Sequence, residues 1–201
     1  MRTDNEDLHG NVPDESGTVL LMIDVINDME FEGGDELLKY ALPVGQKLER
    51  LKRRAKKAGI PVIYVNDNFG KWQSDFRKQV AHCLEDGVRG EPLARLLAPD
   101  DDDYFVLKPK HSGFYSTTLD TLLVYLKAKT LILTGLTGDM CVLFTANDAY
   151  LRDFQLIIPS DCVASIDPEE NHHALKQMQR VLKADIRPSS ELNFEVLERQ
   201  N

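Results

Sequence analysis

Short apolar runs alternate along this chain with longer segments whose apolar residues recur every three or four positions. The run at 18–26, TVLLMIDVI, is almost continuously apolar, which is typical of a strand buried on both faces of a parallel sheet. The segment 35–58 that follows has the spacing of an amphipathic helix, and Gly59 is a common helix stop. This alternation of strand and helix predicts an α/β fold.

The alternation continues to the end of the chain. Further strands are predicted at 61–65, 104–107, 131–133, 155–158 and 184–186. Further helices are predicted at 76–84, at 92–97, from about 117 to 126, after residue 141 and at 168–182. We therefore predict one domain over residues 1–201, built on a doubly wound six-stranded parallel sheet with helices on both faces. The segments 1–17 and 189–201 are expected to be peripheral tails.

The composition is that of a folded chain without the charge pattern of a nucleic-acid-binding or membrane-binding protein. Of the 201 residues, 42% are hydrophobic, and the formal net charge is -9. An acidic chain of this kind is not expected to bind nucleic acid or an anionic membrane. The chain contains no apolar run as long as a membrane span, and its polar first residues do not resemble a signal peptide.

The three cysteines, Cys83, Cys141 and Cys162, are an odd number at wide spacing. This favours reduced thiols in a cytoplasmic protein over a disulfide framework. Cys141 differs from the other two because it lies where a strand and a Gly-containing turn lead into a helix. The pKa of a thiol at a helix N-terminus tends to be lowered, so Cys141 is a candidate nucleophile. The alternative is a small buried core residue.

Two more polar residues are expected at the same edge of the sheet as Cys141. Asp24 lies at the end of the first strand and Lys108 at the end of the third, and ligands bind beyond the carboxyl ends of parallel strands. Cys141 could act as nucleophile, while Asp24 takes the thiol proton and returns it to a leaving amine. Lys108 could hold Asp24 and favour the thiolate. The alternatives are a loop-capping Asp24 and a solvated Lys108.

Four segments carry a pattern that spans residues 18 to about 186. They are LLMIDVINDM around Asp24, VIYVNDNFGKW around Asp67, LKPKHSGFYSTTL around Lys108, and LTGLTGDMCVLFTANDAYLRDFQLIIPSDCVAS around Cys141. In this order they resemble the isochorismatase-like cysteine hydrolases, the group that includes nicotinamidases and N-carbamoyl amidases. The segment around Cys141 is the most specific of the four.

The resemblance implies a catalytic triad of Asp24, Lys108 and Cys141. It also implies a cis peptide bond between Leu136 and Thr137, and an oxyanion hole formed by the backbone N–H groups of Thr137 and Cys141. The course that it implies is attack of the thiolate on a carbonyl, loss of ammonia or an amine, and hydrolysis of the thioester by water. Members of the family suggest a homodimer or homotetramer.

The sequence departs from the nicotinamidases at their metal site. Those enzymes carry an Asp-x-His motif, whereas this chain has Asp67, Asn68 and Phe69 at the matching place. Metal binding needs convergent ligands, and no histidine stands between Asp67 and His82. We therefore predict neither a metal nor another cofactor.

A pocket for a small-molecule substrate is expected beside the triad. Its predicted side chains are Asp67, Asn68, Trp72, His111 and Phe114. The alternatives are solvation of the loop for Asp67 and Asn68, and ordinary packing for the aromatic residues. His111 could also act as the base in a different triad, Cys141–His111–Asp24.

Three functions remain open from the sequence. The first is a hydrolase that cleaves an amide, ureide or carbamoyl C–N bond through a thioester. The second is an isochorismatase-type vinyl-ether hydrolase that uses Asp24 as an acid and needs no thiol. The third is a non-catalytic binding or signalling module of flavodoxin-like shape. Cys141 favours the first, because it has no use in the other two.

Overall fold

A sheet of six parallel strands lies in residues 15–70 and 75–200, the part of the chain that the computed structural model describes. The strands are β1 (Thr18–Ile23), β2 (Val62–Asp67), β3 (Tyr104–Lys108), β4 (Thr130–Leu136), β5 (Gln155–Ile157) and β6 (Val163–Ala164). Their order is β3-β2-β1-β4-β5, and β6 pairs with the end of β4. The predicted doubly wound α/β sheet is confirmed.

Helices connect the strands. They are α1 (Gly34–Lys57), α2 (Phe76–Glu85), α3 (Glu91–Leu96), α4 (Leu119–Leu126), α5 (Leu143–Tyr150), α6 (Pro168–Val181) and α7 (Phe194–Gln200). A π-helical turn, Gly138–Val142, leads into α5, and a 3₁₀ turn, Ser189–Glu191, precedes α7. Most of these bounds agree with the predicted helices to within one or two residues.

The two faces of the sheet are covered by separate cores. Alternate residues of β1 point to opposite sides, so Leu20 and Met22 pack in one core with the apolar stripe of α1. Val19, Leu21 and Ile23 pack in the other core with residues of α4, α5 and α6. Because both faces are covered, β1 is buried along its whole length, and this explains its nearly continuous apolar sequence.

The strand order places a crevice between β1 and β4. The chain leaves β1 toward β2 on one side, and β4 lies on the other, so the direction of winding reverses at this pair. Ligands of open α/β sheets bind at such a switch point, beyond the carboxyl ends of the strands. The two strands approach each other so closely here that a Cβ at Gly135 would lie only 2.0 Å from the carbonyl oxygen of Ile23.

The sixth strand differs from the predicted one. The prediction at 184–186 is wrong, since only Asp185 forms an isolated bridge, with Ile157. The carboxylate of Asp185 accepts a hydrogen bond of 3.0 Å from the backbone N–H of Arg187, and this turn ends the pairing. The sixth strand is instead the two-residue β6, which pairs with Gly135 and Leu136.

The C-terminal segment is not a peripheral tail over its described length, which corrects the prediction for 189–201. Leu192 and Phe194 are buried in the core beside α1. Arg54 of α1 donates to the carbonyl oxygens of Ser189 (2.8 Å) and Leu192 (2.5 Å), and its guanidinium lies 5.2 Å from the ring centroid of Phe194. Of the predicted N-terminal tail, residues 1–14 lie outside the described residues.

We expect Phe194→Ala to lower the free energy of unfolding by about 2–4 kcal/mol, because it removes a buried ring and its contact with Arg54. Urea denaturation followed by circular dichroism measures the change. Val196→Ala on the same helix removes a side chain that is 46% exposed and should cost less than about 0.5 kcal/mol. Equal effects of the two changes would contradict an anchoring role for Phe194.

Candidate active site

The three predicted catalytic side chains meet at the carboxyl edge of the sheet. Asp24 follows β1, Lys108 is the last residue of β3, and Cys141 lies in the π-helical turn after β4. The Lys108 Nζ atom is 2.8 Å from Asp24 Oδ2 and 3.6 Å from Cys141 Sγ. Lys108 is completely buried and Asp24 is 7% exposed, so their charges interact with little screening by water.

The backbone holds Asp24 in an uncommon conformation that orients its carboxylate. Its φ angle is 51°, in the left-handed region that Asp tolerates better than most residues. Its N–H donates to the carbonyl oxygen of Val65 at 3.0 Å, and Oδ1 accepts from the N–H of Asp67 at 2.7 Å. One oxygen of the carboxylate is thus held by β2, while the other contacts Lys108.

Burial and mutual attraction shift the pKa values of this pair in one direction. Burial raises the pKa of Asp24, and the attraction of Lys108 offsets this only in part. For Lys108, burial by itself would lower the pKa, but its interactions with Asp24, the Cys141 sulfur and Asp67 together raise it. Lys108 therefore carries its charge throughout the neutral pH range.

The Cys141 thiol does not have the lowered pKa that its place at a helix start predicts. Burial, followed by the nearby Asp24 carboxylate, raises its pKa to about 12, and Lys108 opposes this only in part. This direction is opposite to the predicted one, because burial and the neighbouring Asp24 carboxylate both disfavour a charged sulfur. A thiol with this pKa is protonated at neutral pH.

The turn that carries Cys141 is fixed by the segment after β6. The Ser165 hydroxyl accepts from the N–H of Asp139 (3.2 Å) and donates to Asn171 Oδ1 (3.1 Å). Gly138 lies so close to Asn171 that an added Cβ would be 2.1 Å from its Oδ1 atom. Sequence reasoning missed Ser165 and Asn171, because no spacing along the chain relates α6 to the turn.

The peptide bond between Leu136 and Thr137 is cis in the structure. The carbonyl oxygen of Thr137 accepts from the N–H groups of Met140 (3.2 Å) and Val142 (3.0 Å), which closes the turn around Cys141. The oxyanion role of the Thr137 and Cys141 N–H groups stays a prediction.

A buried threonine joins the Cys141 helix to the loop after Lys108. The Thr145 hydroxyl donates to the carbonyl oxygen of Cys141 at 2.7 Å and accepts from the N–H of Gly113 at 3.0 Å. Next to it, Ser112 Oγ contacts Asp148 Oδ2 at 2.5 Å. No spacing along the chain indicates these bonds.

The predicted pocket residues Asp67 and Asn68 have different environments. Asp67 Oδ2 lies 3.6 Å from Lys108 Nζ, and the side chain is 36% exposed. Asn68 is buried. Its side-chain oxygen accepts from the backbone N–H of Gly70, and its backbone N–H donates to the carbonyl oxygen of Lys108. Asp67 thus faces the site, whereas Asn68 shapes the loop.

Of the other predicted pocket residues, His111 lies beside the triad and Phe114 does not. His111 Nδ1 is 4.0 Å from Cys141 Sγ, and its ring centroid lies 5.4 Å from that of Phe144. The prediction that Phe114 lines the pocket is wrong. Its ring is buried in the core against Phe154 and beneath the guanidinium of Arg152. Trp72 lies outside the described residues.

The alternative triad with His111 as base has less support than the one with Lys108. The Asp24 carboxylate contacts Lys108, the Cys141 thiol and the N–H of Asp67. Its hydrogen-bond partners are therefore groups other than the His111 imidazole. A His base needs such an orienting carboxylate. His111 itself is exposed and lies 4.0 Å from the sulfur, at the rim of the site.

The described residues contain one group of acids close enough together to hold a metal ion, Asp100, Asp102 and Asp103. These acids precede β3 and so lie at the amino edge of the sheet, opposite Cys141. Lys52 and Lys56 form ion pairs with them, and their two positive charges offset two of the three negative ones. The absence of a metal from the active site stays a prediction.

Residues 18–186 match the family model described as the isochorismatase domain. A Bacillus subtilis (strain 168) relative, the uncharacterized isochorismatase family protein YaaI, is 44% identical over 167 residues, 83% of this chain and 91% of the relative. The ureidoacrylate amidohydrolase RutB of Methylorubrum extorquens is 27% identical over 180 residues, 77% of this chain and 73% of that protein.

Among solved structures, the N-carbamoylsarcosine amidase from Thermoplasma acidophilum superposes with a TM-score of 0.67 at 28% identity. The match covers 88% of this chain and 98% of that chain. The fold, together with the cluster of Asp24, Lys108 and Cys141 at the carboxyl edge of the sheet, is that of an isochorismatase-like α/β protein. The chain belongs to the isochorismatase family.

No helix in the ranges that the structure describes is both long and apolar enough to cross a membrane.

We expect Thr145→Val to lower the free energy of unfolding by about 1–3 kcal/mol, because it keeps the shape but leaves the buried N–H of Gly113 without its acceptor. Thr145→Ser retains the hydroxyl and should recover much of this loss. Urea denaturation of both variants measures the difference. If serine and valine are equally destabilising, the hydroxyl is not what joins the loop to the helix.

Proposed function

We propose that this protein is a cysteine hydrolase that cleaves the C–N bond of a small amide, ureide or carbamoyl compound. The observation that carries the proposal is the position of Lys108 Nζ between the Asp24 carboxylate and the Cys141 thiol. A buried acid, a cation and a thiol in mutual contact can move one proton between sulfur and oxygen without losing it to water.

In the proposed course, Asp24 takes the thiol proton as Cys141 Sγ attacks the substrate carbonyl carbon. The carbonyl oxygen gains the negative charge, for which the N–H groups of Thr137 and Cys141 are the proposed donors. The C–N bond then breaks, and Asp24 returns the proton to the leaving nitrogen. Water, deprotonated by Asp24, attacks the thioester, releasing the acid and the protonated thiol.

Lys108 has two effects in this course. It holds the Asp24 carboxylate through a 2.8 Å contact, and its charge opposes the rise in the pKa of Cys141. When the proton moves from sulfur to Asp24, the negative charge moves from oxygen to sulfur, and Lys108 remains within reach of both atoms. The cation therefore stabilises the charge before and after the transfer.

The relatives support a C–N bond as the target. One is named an amidohydrolase of ureidoacrylate and another an amidase of N-carbamoylsarcosine. Another relative, from Bacillus subtilis, is named isochorismatase and is 30% identical over 172 residues. The raised pKa of Asp24 would suit the acid that the vinyl-ether reaction needs, so that reaction is the second candidate.

We expect ammonia or amine release from at least one compound in a panel of small amides, ureides and carbamoyl compounds, with isochorismate tested in parallel. Cys141→Ala and Asp24→Asn should each lower kcat/KM at least about 10³-fold, because each removes a group that reacts or moves the proton. Cys83→Ala removes a different, buried thiol and should keep activity. Isochorismate turnover that survives Cys141→Ala but not Asp24→Asn would establish the vinyl-ether reaction instead.

The pH dependence follows from the pKa shifts of the two groups. Asp24 must be ionised to accept the thiol proton, so kcat/KM should fall as the pH drops through the raised pKa of Asp24, above the ordinary value of about 3.9. The thiol should cause no descending limb between pH 7 and 10, because its pKa is about 12.

Initial rates at subsaturating substrate from pH 4 to 10 measure this profile. Activity that rises as the pH falls through the pKa of Asp24 would indicate that Asp24 acts as an acid. A limb near the ordinary thiol pKa of about 8.5 would contradict the burial effect on Cys141.

A further inference from the structure

Asp67 adds a second carboxylate to the mouth of the site. Its backbone is fixed on both sides, since its N–H donates to Asp24 Oδ1 (2.7 Å) and its carbonyl oxygen accepts from Gln79 Nε2 (2.9 Å). Oδ1 accepts from the N–H of Phe69, which orients the carboxylate, and Oδ2 points toward Lys108 at 3.6 Å. The group is held in place but remains 36% exposed.

The charges around the thiol do not balance. Within the part of the chain that the structure describes, the ion pairs of Asp24 and Asp67 are both with Lys108. Asp24 is the nearer partner at 2.8 Å, so it neutralises most of the charge of Lys108. With the thiol protonated, the site has one excess negative charge, and it is located on the exposed carboxylate of Asp67.

Asp67 is also within reach of a molecule that reacts at Cys141. The Cys141 sulfur and Asp67 Oδ2 each lie 3.6 Å from Lys108 Nζ, so they can be no farther apart than twice that distance. A small molecule whose carbonyl carbon is at the sulfur can therefore reach Asp67 with its other end. A carboxylate there accepts hydrogen bonds from N–H groups and repels a second carboxylate.

We infer that Asp67 selects substrates by their charge. The site takes neutral or cationic amides with free N–H groups, such as primary carboxamides and ureas. It discriminates against compounds with a carboxylate close to the scissile bond. This inference rests on the proposed function for its substrate class, and it narrows that class, which includes anionic carbamoyl amino acids. It assigns to Asp67 a specificity role and no part in the proton transfer.

The test uses alkylation of Cys141, which does not depend on hydrolysis. The thiolate displaces iodide either from neutral iodoacetamide or from anionic iodoacetate, with EDTA present throughout. The measured quantity is the ratio of the two rate constants, followed by mass spectrometry of the peptide that contains Cys141. Removing a nearby charge changes the thiolate fraction equally for both reagents, so the ratio isolates the effect on the reagent.

We expect Asp67→Asn to lower the iodoacetamide-to-iodoacetate ratio by about three- to tenfold, the size of one charge at this range with partial screening. Asparagine still offers an oxygen to the N–H of Phe69, so the loop is expected to keep its shape. Asp101→Asn is the matched control, because it removes the same charge from an exposed loop before β3, at the opposite edge of the sheet. A ratio that stays unchanged in Asp67→Asn, or falls equally in Asp101→Asn, would overturn the inference.

A second measurement separates this inference from the proposed function. The ratio of kcat/KM for propanamide over succinamate, a primary amide with a carboxylate, should fall in Asp67→Asn and not in Asp101→Asn. Hydrolysis of substrates with an unchanged ratio would overturn the role of Asp67 and leave the hydrolase intact. A changed alkylation ratio with no hydrolysis of any compound in the panel would support Asp67 and contradict the proposed function.

Discussion

The contact between Lys108 and Asp24 is the interaction on which the site depends. Two ions are costly to bury, and their attraction offsets that cost only where the geometry is close and the other polar atoms are satisfied. Here the separation is 2.8 Å, and the second oxygen of Asp24 accepts from the N–H of Asp67. Removing Lys108 would leave the buried Asp24 carboxylate without its counter-ion, and removing Asp24 would leave Lys108 only its longer, 3.6 Å contact with Asp67.

The pairing of the strands sets the positions of the residues that form this ion pair. Asp67 and Lys108 are directly opposite each other in the parallel pairing of β2 and β3, and Ile23, which precedes Asp24, pairs with both Val65 and Gly135. Neighbouring strands lie about 4.8 Å apart, so residues at their ends are within side-chain reach of one another. The apolar residues that bury these strands on both faces therefore also fix the polar groups at their ends.

Much of the fold and the centre of the site could be predicted, since each rests on a local pattern. Continuous apolar runs indicate β1 and β4 because burial on two faces leaves no polar position, and the strand-end rule brings Asp24, Lys108 and Cys141 to one edge. The failures concern features that only three-dimensional packing decides. The two residues of β6 are too few to show a period, and α7 is anchored by Phe194 through an arginine far away in sequence.

The same limit explains the thiol and the aromatic residues. A helix start predicts a lowered pKa for Cys141, but the outcome depends on burial and on the Asp24 carboxylate, whose sizes no spacing along the chain reveals. Phe114 lies in the same loop as His111, yet it turns into the core while His111 is near the sulfur. Sequence gives the order of such residues in a loop but not the side to which each points.

The charged groups of the site are graded from the interior to the surface, and this order separates two tasks. The side chain of Lys108 is 0% exposed, that of Asp24 is 10% exposed and that of Asp67 is 36% exposed. Interactions between buried charges are strong and little affected by salt, which suits the proposed transfer of a proton between Cys141 and Asp24. A partly exposed charge is weaker, but it meets the substrate first. In the proposed hydrolysis, a protonated resting thiol fits this arrangement, because Asp24 lies beside the sulfur and can take its proton as the carbonyl is attacked.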